Sequence, residues 1–129
     1  MAEIAKKSIL IVDDEPICIK FYISALQSDY SLYVAKDGQS AINIAEKNTP
    51  DLILLDLEMP VMNGFEVITN LKMLDSTKDI PVIFVTGYNG SDTIIKGLEL
   101  GAIDFIFKAA GPDVVKSRVF KHFHKEVFA

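Results

Sequence analysis

Asp13, Asp14, Asp56, Thr86 and Lys108 are the residues of this 129-residue chain whose types and placement could do chemistry together. Each follows a short apolar run: SILIV before Asp13 and Asp14, DLILL before Asp56, IPVIFV before Thr86 and AIDFIF before Lys108. Three close carboxylates repel one another and raise each other's pKa unless a cation intervenes. Mg²⁺ suits such a place, since it takes hard oxygen ligands and uses one or two carboxylates with phosphate and water. A carboxylate can also act as a nucleophile and carry a phosphoryl group. Phosphoryl transfer asks mainly for positioning and charge neutralisation. Mg²⁺ on one side and the Lys108 ammonium on another would supply the neutralisation, and the Thr86 hydroxyl could donate to a phosphoryl oxygen. Singly, each residue also has a plain structural reading. Asp14 could cap a helix begun by Pro16, Thr86 could cap the next turn, and Lys108 could be a solvated charge at the rim.

The elements that must position these groups decide between the readings. Five apolar runs, SILIV, SLYVA, DLILLD, IPVIFVT and AIDFIFK, have the length of buried strands. Stretches with helical spacing separate them: Ile17, Phe21, Ala25 and Leu26; Ala41, Ile42, Ile44 and Ala45; Phe65, Val67, Ile68, Leu71 and Leu74; Ile94, Ile95, Leu98 and Leu100; Val114, Val115, Val119, Phe120 and Phe123. Asp37, Asn63 and Ser91 stand where N-caps belong, and Gly101 where a helix stops. Strand and helix thus alternate, which predicts a parallel sheet with helices on both faces. Ligands of such sheets bind beyond the carboxyl ends of the strands. All five polar groups fall at that edge, which favours a pocket over scattered caps.

Composition narrows the rest. The length predicts one domain over 1–129, with a core at about 7–126 and no output domain in this chain. A net charge of −5 argues against direct nucleic-acid binding. Cys18 is the single cysteine, so no internal disulfide can form; its apolar neighbours predict a small buried hydrophobe. No run approaches a membrane span and MAEIAKKS lacks a signal peptide's apolar middle, so a cytoplasmic location is expected.

IVDDEP, LLDLEMPVMNG, IPVIFVTG and GAIDFIFK, with their spacing, resemble the signatures of response-regulator receiver domains of two-component signalling, of the chemotaxis-regulator kind. The resemblance covers nearly the whole chain. It implies a flavodoxin-like (βα)5 fold, a doubly wound parallel sheet in the order 2-1-3-4-5. It implies that Asp56 accepts a phosphoryl group from a histidine kinase or phosphotransfer protein. It implies Mg²⁺ bound by Asp14 and Asp56, by Asp13 through water, and by the backbone carbonyl of Glu58. Lys108 would pair with the phosphate. Thr86 and Phe105 match the switch pair, the hydroxyl moving toward the phosphate and the ring turning inward behind it. The chain would then be a signalling switch rather than an enzyme. The fourth helix, fifth strand and fifth helix would offer a homodimer face. GPDVVKSRVFKHF also resembles receivers joined to cyclic-di-GMP enzymes.

One feature departs from the common pattern. The family usually has a cis proline after the lysine, whereas here Ala109 follows Lys108 and the proline is displaced to Pro112. A cis bond before a non-proline costs ~2.5–4 kcal/mol, so Lys108–Ala109 is expected to be trans with a displaced loop. By the same resemblance, Glu58 and Tyr88 flank the water that would hydrolyse the phosphoryl group. Glu58 is an anion beside a dianion and Tyr88 is bulky, which predicts slow hydrolysis.

Other motifs are weaker. The P-loop signature is absent. His122 and His124 are two apart and cannot share a helix face, so they read as polar rim residues. Lys116, Arg118, Lys121 and Lys125 read as a solvated basic helix face or a partner surface. Two rival functions stand beside the receiver. A haloacid-dehalogenase-like phosphatase would want a second aspartate where Glu58 stands, and a cap domain. A flavodoxin-like cofactor-binding module would want a Ser/Thr-rich loop where DDEPIC stands.

Overall fold

The computed structural model describes residues 6–125; the outer ends of the span 1–129, including most of MAEIAKKS, lie outside the described residues. Five strands and five helices alternate: β1 (Ser8–Val12), α1 (Pro16–Leu26), β2 (Ser31–Ala35), α2 (Gly38–Asn48), β3 (Leu52–Asp56), α3 (Gly64–Lys72), β4 (Val82–Thr86), α4 (Ser91–Glu99), β5 (Asp104–Phe107) and α5 (Pro112–Phe123). The strands form one sheet in the order β2-β1-β3-β4-β5, and all neighbours are parallel. The fold is the flavodoxin-like one expected.

Period-two alternation divides the strands' side chains between two apolar layers. Leu10, Val12, Ile53, Leu55, Val82, Phe84 and Phe105 pack with residues of α2 and α3. Ile9, Ile11, Leu52, Leu54, Ile83, Val85 and Ile106 pack with α1 and α5. Covering both faces is why these strands read as unbroken apolar runs. Leu52 to Leu55 are buried to within 1%, and burying each such side chain stabilises by about 1.5–3 kcal/mol. That anchorage lets β3 end on a charged residue.

Local chemistry sets the helix starts. Asp37 accepts the Ser40 N–H at 2.8 Å ahead of α2. Asn63 and Glu66 form a reciprocal capping box at α3, with bonds of 3.0 and 3.2 Å. At α4 the cap falls on Gly90 rather than Ser91, because Gly90 is the last extended residue and Ser91 is already helical. Gly101 stops the same helix with φ +112°.

The helix faces differ from the spacing in detail. In α1, Ile19 and Tyr22 are buried, whereas Ile17 is 75% exposed. Cys18 is half-buried rather than buried. In α4 only Gly97 is buried; Ile95 and Leu98 are exposed. A Cβ at Gly97 would lie 2.5 Å from Cζ of Phe105, so the missing side chain lets α4 rest on that ring. His122 of α5 is not a solvated rim group, its side chain being 9% exposed, and Arg118, though 43% exposed, is held in an ion pair. Asp104 of β5 bridges them, at 2.9 Å to each, and Arg118 also donates to the Phe105 carbonyl at 2.8 Å.

Candidate functional site

β1 and β3 are neighbours in register, Val12 beside Leu55, so the residues just beyond bring Asp13 next to Asp56. β4 ends on Thr86, paired with Phe107, and the Lys108 N–H donates to the Thr86 carbonyl at 2.9 Å. One edge of the sheet therefore collects all five polar residues. Carboxylate oxygens of Asp13, Asp14 and Asp56 lie within 4.8 Å of one another. Asp13 and Asp56 are buried, and Asp14 is the most open of the three.

The Lys108 ammonium reaches into this group. It stands 3.3 Å from Asp56, 3.2 Å from Glu15 and 4.0 Å from Asp13. The Lys108–Ala109 bond is trans, as the sequence predicts. Burial pushes the Asp56 carboxyl up to about 7; the Asp13 charge adds to this and Lys108 opposes it. Burial also raises Asp13, against the Glu15 amide and Lys108. Burial alone would lower Lys108, but Asp56 and Asp13 outweigh it and raise its pKa.

This charge balance leaves room for a cation. The single lysine does not offset two buried carboxylates and a third beside them. Asp13 Oδ2 and Asp56 Oδ2 are buried and accept no hydrogen bond. Unpaired buried oxygens are costly unless something binds them. Hard carboxylate oxygens in a tight group suit Mg²⁺. The remaining oxygens are held in place: Asp13 Oδ1 accepts the Glu15 N–H at 2.9 Å and Asp56 Oδ1 accepts the Glu58 N–H at 3.2 Å.

The loop after β3 folds back tightly. The Gly64 N–H donates to the Leu57 carbonyl at 2.9 Å, and a Cβ on Gly64 would lie 2.7 Å from the Asp56 carbonyl. Only glycine brings α3 so close to Asp56. Val61 projects fully into solvent with φ +69°.

Thr86 is wholly buried, and its hydroxyl donates to Glu58 Oε1 at 2.8 Å. The Gly87 N–H donates to the same oxygen at 3.1 Å. Phe105 lies inside, 5.6 Å from the Phe84 ring. Tyr88 is 60% exposed, with its ring folded back against Gly90. Glu58 and Tyr88 line a cavity of about 350 Å³ with Leu57, Asn63, Phe65 and Thr93.

Some participants were missed in the sequence. Glu15 pairs with Lys108; the acidic run DDE was a signal for it. The pairing of Asp104 with Arg118 and His122, away from the site, was missed too, because a lone acid at a strand start has no local signature. The grip of Glu58 on Thr86 spans 28 positions and left no trace in spacing.

The response regulator receiver domain family matches residues 9–120, and the chain belongs to that family. It is 41% identical over 122 residues to a probable cyclic di-GMP phosphodiesterase of Vibrio cholerae, covering 95% of this chain and 28% of that one. It is 38% identical over 112 residues to the response regulator PleD of Caulobacter vibrioides, covering 86% and 25%. The chain thus spans about a quarter of the length of these relatives. Among solved structures, the chemotaxis protein CheY4 of Vibrio cholerae superposes with TM-score 0.87 at 28% identity, covering 91% of this chain and 98% of that one. A receiver is a signalling switch; relatives named as enzymes are several times longer than the shared segment. Among the described residues no helix is long and apolar enough to cross a membrane.

Proposed function

We propose that Asp56 is the phosphoacceptor, that it takes its phosphoryl group from a histidine kinase or phosphotransfer protein, and that the chain works as a single receiver domain in the cytoplasm. The observation that carries this reading is the group of three carboxylates within 4.8 Å with Lys108 at 3.3 Å from Asp56. Asp13, Asp14, Asp56 and the Glu58 carbonyl would hold Mg²⁺. When bound, Mg²⁺ neutralises phosphoryl oxygens and orients them for in-line transfer. Asp56, fixed by β3 and by the Glu58 amide, attacks phosphorus as the phosphorus–nitrogen bond to the donor histidine breaks and its imidazole leaves. Lys108 stays charged and balances the developing negative charge. Thr86 donates its hydroxyl to a phosphoryl oxygen, and Phe105 behind it relays the state to α4 and β5. Partners would read that state, in another domain or another protein. The similarity to a probable cyclic di-GMP phosphodiesterase favours an output of that kind. Glu58 and Tyr88 would slow hydrolysis, so Glu58→Asn and Tyr88→Ala should each hasten decay of the labelled protein.

The test is incubation with Mg²⁺ and a small phosphodonor. The wild type should gain one phosphoryl group and Asp56→Asn none, with folding intact. Asp14→Ala should lose the Mg²⁺ dependence of the rate. Wild-type labelling of the intact Asp56→Asn protein would overturn the assignment. Continuous turnover of phosphate would favour the phosphatase instead, and a flavin binder would do neither.

A further inference from the structure

The carboxylate of Glu58 stands where a second anion could stand. Two donors at the carboxyl end of β4, the Thr86 hydroxyl and the Gly87 N–H, converge on the one oxygen Oε1, at 2.8 and 3.1 Å. Donors that converge from a buried side chain and an adjacent amide form an oxyanion site. Glu58 fills this one from within the chain. Its backbone is tied to the acceptor, since its N–H donates to Asp56 Oδ1 at 3.2 Å. Its side chain is exposed, so a change of rotamer releases the donors without disturbing the core. Lys108, on the other side of the site, is engaged by Asp56 and Glu15.

We propose that Glu58 is a tethered competitor of the phosphoryl group: its carboxylate holds the Thr86 hydroxyl and Gly87 amide until an oxyanion on Asp56 displaces it. This rests on Asp56 being the acceptor, and adds that position 58 sets how readily oxyanions enter. The hydroxyl has one proton. Tyr88's carbonyl offers it a second acceptor at 3.2 Å, but Glu58's oxygen is nearer and charged. The arriving group must break both bonds to Glu58 before it can make its own. Glu58 is therefore a positioning residue, acting through Thr86 and Gly87.

The experiment compares wild type, Glu58→Gln and Glu58→Ala, each with Mg²⁺. Beryllofluoride binding is followed by the Gly87 amide resonance, and initial labelling by phosphoramidate is followed by mass. In the labelling step an Asp56 oxygen bonds to phosphorus as the phosphorus–nitrogen bond breaks, and nitrogen leaves as ammonia with a proton from the donor. Removing a charged acceptor should tighten beryllofluoride binding in Glu58→Ala by about tenfold. Glu58→Gln keeps a neutral acceptor and should fall between. Before loading, the Gly87 amide should move upfield in Glu58→Ala. Equal gains for Gln and Ala would mean charge repulsion alone and would overturn the competitor role, as would no change in either. If no protein binds beryllofluoride or gains a phosphoryl group, the receiver reading itself fails, and this one with it.

Discussion

Asp56 illustrates how burial and charge combine at one residue. Burial, with the Asp13 charge beside it, pushes its carboxyl up to about 7 from an ordinary 3.8, against Lys108 and the Glu58 amide. An acid whose pKa is higher in the fold than in the unfolded chain stabilises the fold only while protonated. Its contribution is full below about pH 4 and is lost as pH rises through about 7. Asp56→Asn escapes the penalty but loses its ion pair with Lys108, which keeps Glu15. The variant should be more stable than wild type by about 1–3 kcal/mol at pH 8 without Mg²⁺. The gain should shrink toward pH 4. Thermal unfolding across pH checks this, and a variant less stable than wild type at pH 8 would contradict it. Adding Mg²⁺ should stabilise wild type more than the variant.

Among the elements, the loop from β3 to α3 carries the clearest strain. Val61 is β-branched, fully exposed and left-handed in φ, which costs about 1–2 kcal/mol relative to a residue that tolerates it. Its side chain recovers little by burial. Val61→Asn should therefore stabilise by about 1 kcal/mol, read as a higher denaturant midpoint at unchanged slope. A lower midpoint would show that the loop holds Val61 for a contact not seen in the free chain. At the opposite end of the sheet, Asp104 ties α5 to β5 through Arg118 and His122. This fastening lies directly beside Phe105, whose carbonyl accepts from Arg118.

For the whole molecule, the face built from α4, β5 and α5 is an apolar stretch of surface, with Ile95, Leu98, Phe107 and Val114 all exposed. α4 is lightly anchored, since Gly97 alone is buried, and it leans on Phe105. Phosphorylation that alters Thr86 and Phe105 should be felt there first. With beryllofluoride and Mg²⁺ the chain should self-associate through this face, and Leu98→Asp should weaken the association at least about tenfold. Sedimentation at several concentrations measures it. A monomer at all concentrations, loaded or free, would remove the homodimer that the family resemblance implies.

How much was legible beforehand depends on the range of the interaction. The apolar runs ending at Asp56 and Thr86 determined the strands, because a strand buried on both faces must be apolar throughout. Alternation with helical spacing determined the parallel sheet and the edge where Asp13, Asp14, Asp56, Thr86 and Lys108 gather. Asn63 and Asp37 were readable as caps because capping is local. Tertiary structure alone decided which apolar residues of α1 and α4 turn outward, since Ile17 and Ile95 satisfy the spacing yet face water. It alone decided that Arg118 and His122 meet Asp104, and that Glu58 grips Thr86. Those pairings join residues from different elements, and their cause is the packing of β3, β4, β5 and α5, which no local pattern in the chain encodes.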